Sequence, residues 1–214
     1  MTRLYLHSTD PEVASKMKPE VYAKILKRRE ELTATLQQIE TDAHTISLEI
    51  GCGHGHFLTA MALKTPKEQF VGIDVNRGRI FKARRKAERL GLKNIHLLEC
   101  ESIEFLKLLP DKIRIKETWI LYPDPWPKKR HFKNRIIQAP FLDALASASI
   151  LKGKLFLRSD YDAYLEWSKE LLDQSGEWTV LPNFEWPEIT ATVFQELTNN
   201  QHSSLVAELN PLKE

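Results

Sequence analysis

Thr45-Ile-Ser-Leu-Glu-Ile-Gly-Cys-Gly-His-Gly-His-Phe-Leu-Thr-Ala-Met-Ala-Leu-Lys64 changes its structural period part-way along. Ile46–Ile50 is an apolar run of strand character, Gly51, Gly53 and Gly55 interrupt it, and Phe57–Lys64 has helical spacing. Strand, glycine turn and helix in that order open a βαβ unit and predict a parallel sheet flanked by helices. The glycines let backbone approach a ligand closely, but a glycine turn alone does not say which ligand.

The neighbours narrow the choice. A dinucleotide-binding turn favours a small residue at its sixth position, and His56 stands there. Glu49 precedes the first glycine, ill placed beside a pyrophosphate and well placed beside an ammonium. Asp74 lies 23 residues after Gly51, a spacing that suits a carboxylate accepting from ribose hydroxyls. A ligand with a ribose, a cationic tail and no phosphate fits S-adenosylmethionine. The third predicted strand ends near Glu99 and Glu101, where an acid can accept from the adenine amino group.

Further along, strands are predicted at Gln69–Asp74, Asn94–Glu99, Ile115–Leu121 and Lys154–Arg158. Helices are predicted at Asn76–Leu90, Ile103–Leu109, Ile136–Ser149 and Tyr161–Gln174, and Trp178–Leu181, Thr190–Leu197 and Leu205–Leu209 complete the sheet. Trp119, Phe141, Leu142 and Leu145 read as core. Before this alternation, Pro19 opens a helix with a loose stripe of Val21, Ile25, Leu32, Leu36 and Ile39. Its Lys24, Lys27, Arg28 and Arg29 fit either an RNA-touching face or the solvated face of a docking helix. The expected organisation is a helical extension over residues 1–40 and one α/β domain over residues 41–214, its mostly parallel sheet covered on both faces.

Trp119-Ile-Leu-Tyr-Pro-Asp-Pro-Trp-Pro-Lys-Lys-Arg-His-Phe-Lys-Asn-Arg135 carries the densest chemistry. Pro123, Pro125 and Pro127 fix φ and lack an N–H, so neither helix nor ladder continues through them. Tyr122, Asp124 and Trp126 each precede a proline and are expected extended. Asp124 is thereby presented at a strand end between two aromatic rings. Lys128, Lys129, Arg130, Lys133 and Arg135 follow with no acid among them, suited to phosphates on either side of a base. Arg84, Arg85 and Lys86 also suit phosphates, or a solvated helix face.

The net charge of +2 conceals segregation: residues 160–214 hold eleven acids against Lys169 and Lys213, so the preceding residues are strongly basic and fit a polyanionic partner. No apolar run is long enough to cross a bilayer, and residues 1–19 lack the apolar centre of a signal peptide. Cys52 and Cys100, far apart and outside any C-x-x-C pattern, fit a reducing cytoplasm rather than a disulfide or thiolate metal site. His54 and His56 have no further ligands in a local pattern, so no metal is expected.

Leu48-Glu-Ile-Gly-Cys-Gly-His-Gly55, Gly72-Ile-Asp-Val75, Pro123-Asp-Pro-Trp-Pro-Lys-Lys-Arg-His131 and Arg158-Ser-Asp160 together resemble the bacterial tRNA (guanine-N7-)-methyltransferases. The proline-braced run is the specific part, and the resemblance is close over about residues 46–165. It implies a Rossmann-like class I methyltransferase fold and methylation of N7 of guanine 46 in the tRNA variable loop. By the same resemblance Glu49, Gly51, Gly53, Asp74 and Glu101 hold S-adenosylmethionine, and Asp124 stands in the active site beside it. Lys128 and Asp160 contact substrate, and the segment from Lys129 through Arg130, His131 and Lys133 to Arg135 contacts RNA. The family's Thr-x-Tyr/Phe-Glu motif reads Thr192-Val-Phe-Gln195 here, a departure in which Gln195 replaces a carboxylate and Val193 a polar residue.

Guanine N7 has a free lone pair and no proton, so attack needs alignment rather than a general base. A carboxylate can accept both N1–H and N2–H of guanine, a pair that adenine lacks, which assigns Asp124 and Asp160 to recognition and positioning. Two other readings stay open from the sequence: a methyltransferase of another RNA position or of a small molecule, and a tRNA-binding relative without turnover. Monomer and homodimer are equally compatible.

Overall fold

The computed structural model describes residues 16–187 and 201–211. Helix α1 (Pro19–Asp42) leads into β1 (Thr45–Ile50), α2 (His56–Lys64), β2 (Phe70–Asp74), α3 (Arg77–Arg89), β3 (Ile95–Glu99), α4 (Ser102–Leu108) and β4 (Arg114–Leu121). After a 3-10 turn at Lys129–Asn134 come α5 (Ala139–Ala148), β5 (Ser149–Ser159), α6 (Asp162–Ser175), β6 (Trp178–Val180) and β7 (Ser203–Leu209). The strands form one seven-stranded sheet in the order β3-β2-β1-β4-β5-β7-β6. The first five strands run parallel, and β7 pairs antiparallel with both β5 and β6. The expected strand at Thr190–Leu197 lies outside the described residues.

Alternation along the strands sorts the core into two layers, because successive side chains leave opposite faces of a sheet. Val71, Ile73, Leu98, Leu155, Leu157, Leu205 and Ala207 join α1, α4, α5 and α6 on one face. Phe70, Leu97, Trp119, Phe156 and Val206 join α2 and α3 on the other. On this second face Phe184 and Trp186 cover β4 and β5: Trp119 stacks on Phe156 at 3.7 Å, and Trp186 meets both rings edge-on. Trp119, Phe141, Leu142 and Leu145 are all buried, as their apolar setting predicts.

Helix α1 is part of this core. Ile25, Leu32, Leu36 and Ile39 are each at most 4% exposed, and burying such side chains is worth roughly 1.5–3 kcal/mol apiece. Arg28 Nη2 reaches both Glu104 carboxylate oxygens at 2.7 Å, and Arg29 lies 3.6 Å from the same group. Of the two readings of the basic helix, docking is the one Arg28 and Arg29 follow.

The strand predicted from Lys154 begins instead at Ser149. Lys152 takes φ +61°, Ser149 pairs with Ile115 and Lys154 with Glu117, so a bulge lies inside the strand where Leu151-Lys-Gly153 reads as a turn. Helix α5 starts at Ala139 rather than Ile136. Gln138 is extended (φ −142°), as befits a residue two before Pro140 at the helix entrance.

Candidate active site

Adjacent parallel strands bring the functional residues to one edge of the sheet. Ile50 is in register with Ile73 on β2 and with Ile120 on β4, so the chain leaves all three strands side by side. The segments that emerge there are the glycine turn, Asp74 and the proline-braced run. Ligands of open α/β sheets bind in this region beyond the carboxyl ends of the strands.

Gly51 and Cys52 donate to Ile73 O, which folds the turn over the end of β2. Gly53 adopts φ +55° and donates its N–H to Asp74 Oδ2 at 3.1 Å. Gly55 (φ +69°) lies where a Cβ would stand 3.0 Å from Ala83 Cβ, so its size lets α2 start against α3. Asp74 is 4% exposed. Its Oδ1 accepts from Asn76 N at 2.7 Å, and Arg79 lies 3.6 Å from Oδ2. Glu49 is equally buried, and its Oε2 has no hydrogen-bond partner. Burial first, and the Asp74 carboxylate second, push the Glu49 pKa well above the ordinary carboxylate range. Two buried carboxylates side by side, one with an orphan oxygen, favour a neighbouring cation.

Glu101 is half-buried and caps α4: its Oε2 accepts from Ile103 N and Glu104 N at 2.9 and 3.2 Å, and Ser102 donates to Oε1. Both carboxylate oxygens are therefore already engaged by the chain. Cys52 and Cys100 are free and buried, with their thiols pushed up by burial. Among the described residues no three His, Cys, Asp or Glu side chains gather as metal ligands.

Asp124 is exposed on the loop after β4. The flanking residues depart from expectation: Tyr122 and Trp126 do not take extended φ but have φ +51° and +43°. Such conformations cost about 1–3 kcal/mol each and persist only where surrounding contacts over-determine them. Those contacts are visible. Tyr122 N donates to Arg158 O, and the Tyr122 hydroxyl meets His202 Nδ1 at 3.1 Å. Arg158, 8% exposed, donates to Ser204 Oγ, lies against Tyr122 and covers the Trp186 ring at 4.0 Å. Trp126 packs edge-on against His131.

Arg135 is a second departure. Expected among the phosphate-holding cations, it is only 3% exposed. Its guanidinium lies 3.6 Å over Phe132, with Trp167 and Tyr164 at 4.9 and 5.1 Å, and Nε donates to Pro125 O at 2.9 Å. Aromatic faces hold this cation inside, where it braces the Asp124 loop. The other cations of the run, Lys128, Lys129, Arg130 and Lys133, are exposed, and Arg130 donates to Nε2 of the half-buried His131. Asp160 is exposed just beyond β5. Thr192 and Gln195 lie outside the described residues.

Arg158, Tyr122 and His202 form a cluster that no sequence motif announces. The sequence signal is faint: Arg158 stands at a strand end in Arg158-Ser-Asp160, but His202 approaches it only through the antiparallel pairing of β5 with β7.

A family model described as putative methyltransferase matches residues 43–206, and the chain belongs to that family. It is 33% identical over 157 residues to a tRNA (guanine-N(7)-)-methyltransferase of Acinetobacter baylyi, with 70% of this chain and 64% of that protein aligned. A protein of the same name from Halorhodospira halophila is 36% identical over 126 residues, covering 59% and 54%. The chain thus spans roughly half to two thirds of the length of these relatives. Among solved structures a 16S rRNA methyltransferase superposes with TM-score 0.58 at 16% identity, over 83% of this chain and 94% of that one. A precorrin-6y C5,15-methyltransferase from Geobacter metallireducens gives 0.55 at 14%, over 85% and 87%. These two similarities establish the Rossmann-like methyltransferase fold.

Proposed function

We propose that the chain transfers a methyl group from S-adenosylmethionine to N7 of guanine 46 in the variable loop of tRNA. The observation that carries the reading is the buried Glu49–Asp74 pair, with its orphan oxygen, beside a glycine turn and in register with the strand that presents Asp124. The names of the aligned relatives supply the substrate and the reacting atom.

Bound at the turn, S-adenosylmethionine supplies an electrophilic methyl group on a sulfonium. Glu49 faces its cationic end, Gly51 and Gly53 give it room, and Asp74 accepts from the ribose hydroxyls. Glu101 takes the adenine end, sharing a carboxylate that also caps α4. Asp124 accepts N1–H and N2–H of guanine and turns N7 toward the methyl group, with Asp160 and Lys128 on the flanks. Thr192 and Gln195 complete the guanine pocket in this reading. Because N7 carries no proton, Asp124 aligns and does not abstract. The purine must leave its stack to reach the site, at a cost of a few kcal/mol. Lys129, Arg130, His131 and Lys133 hold the backbone around it. Backbone contacts position without reading sequence, so the shape of the tRNA selects the site. No helix among the described residues is long and apolar enough to cross a membrane, and the two buried thiols suit a reducing cytoplasm.

The test is incubation of the full chain with methyl-labelled S-adenosylmethionine and bulk tRNA, followed by digestion to nucleosides. Label in 7-methylguanosine is the expected result. Label in another nucleoside, or binding of both partners without turnover, rejects the proposal.

A further inference from the structure

Helix α3 is the most cationic element described: Arg77, Arg79, Lys82, Arg84, Arg85, Lys86 and Arg89 face one acid, Glu88. The structure divides these cations. Arg79 lies against Asp74, Arg84 donates its Nε to Leu97 O at 2.8 Å, and Lys86 has a buried ammonium. Ile80, Ala83 and Ala87 face the core. Lys82 is exposed beside a row at intervals of four, Arg77, Phe81, Arg85 and Arg89, which is exposed throughout. Residues four apart are neighbours on a helix surface, and these span about 18 Å of axis. Phe81 is 60% exposed, and the Arg85 guanidinium lies 6.0 Å from its ring centre.

We propose that this row is a second contact surface for tRNA, with Phe81 as a stacking platform for an unpaired base and Arg77, Arg85 and Arg89 on the phosphates to either side. The proposal rests on the function stated above. Three observations support it. Helix α3 begins three residues after Asp74, so it leads away from the cofactor turn. Only β1 separates β2 from β4, so the ends of those strands lie about 10 Å apart and one RNA strand can reach both surfaces. Finally, the charge is polarised: α6, packed on the opposite face of the sheet, exposes Asp162, Glu166, Glu170 and Asp173. RNA is therefore repelled there and drawn to the α3 face. A merely solvated basic face has no need of a ring set among three arginines, whereas single-stranded nucleic acid uses that combination.

The experiment measures tRNA affinity of the full chain and its variants between about 50 and 200 mM salt. In the same preparations, S-adenosylmethionine affinity, 7-methylguanosine yield and sedimentation are followed. Arg85→Ala with Arg89→Ala should weaken tRNA binding about tenfold and lower the salt slope by roughly two, since each phosphate contact contributes nearly one. Phe81→Ala should weaken binding about fivefold or more with the slope unchanged, and Phe81→Trp should restore it. Cofactor affinity should not move. Unchanged tRNA affinity and slope in both variants overturns the inference. So does a variant that alters only the sedimentation, which would make α3 a protein interface, and so does a parent chain that fails to bind tRNA. A parent that binds tRNA without forming 7-methylguanosine defeats the proposed function instead and leaves α3 to be judged by its own binding data.

Discussion

Glu49 and Asp74 occupy one buried corner, and the burial of Glu49, with the Asp74 charge second, has a pH signature. The Glu49 pKa is raised, so the folded chain binds a proton more tightly there than the unfolded chain does. The associated stability is fully present below the ordinary value of 4.5 and is lost as pH rises through the raised one. Glu49→Gln removes this component. Without cofactor the variant should gain thermal stability over the parent by a few degrees at about pH 8, the gap closing toward about pH 5. Calorimetry should show S-adenosylmethionine binding weakened about thirtyfold, roughly 2 kcal/mol, because the cationic ligand loses its counter-charge. Identical pH profiles for variant and parent would remove Glu49 from this role. Asp124 behaves differently, being exposed and clear of the glycine turn's hydrogen bonds. Asp124→Ala should lower kcat about a hundredfold while cofactor affinity stays within about twofold, since misplacement of a reacting base is costly and cofactor binding is separate. Retained turnover would show that the carboxylate does not align the purine.

Among the elements, β2 is buried at every residue. A Cβ on Gly72 would lie 2.8 Å from Leu58 Cδ2, 2.9 Å from Leu97 Cδ2 and 3.0 Å from Cys52 Sγ. Gly72→Ala should destabilise the fold by about 1–3 kcal/mol through overpacking, read as a lower denaturant midpoint with unchanged m. An unaltered midpoint would mean that α2 and β3 yield without cost. The strands and helices themselves were legible because their signals are local: apolar runs closed by Gly, Pro and Asn. The early start of β5 was hidden because a bulge at Lys152-Gly153 has the composition of a turn. The left-handed Tyr122 and Trp126 were hidden for the converse reason. Local sterics before proline favour extension, and only contacts from Arg158, His202 and His131, distant or later in the chain, hold the alternative. The burial of Arg135 was equally illegible, since a run of cations does not disclose that Tyr164 and Trp167 wait about thirty residues away on α6. The glycine turn and its acids, by contrast, were readable outright, since spacing from a strand end fixes where they emerge.

Across the whole molecule the sheet closes late. β7 is inserted between β5 and β6, with Leu205, Val206, Ala207 and Leu209 all buried. Deleting residues 203–214 should therefore abolish cooperative unfolding and drive the protein into aggregates, because it bares the long edge of β5 and uncovers Trp178. A soluble truncated chain with a sharp melting transition would refute this. During translation the same arrangement imposes an order of events. Until Leu209 clears the ribosomal tunnel, β5 has one ladder partner and an open flank, and the nascent protein must be shielded on that side by a chaperone or by its own brevity. Slow decoding of the codons between β5 and β7 would lengthen that vulnerable interval, and yield in the cell should respond to codon choice there more than in the segments that encode the parallel strands.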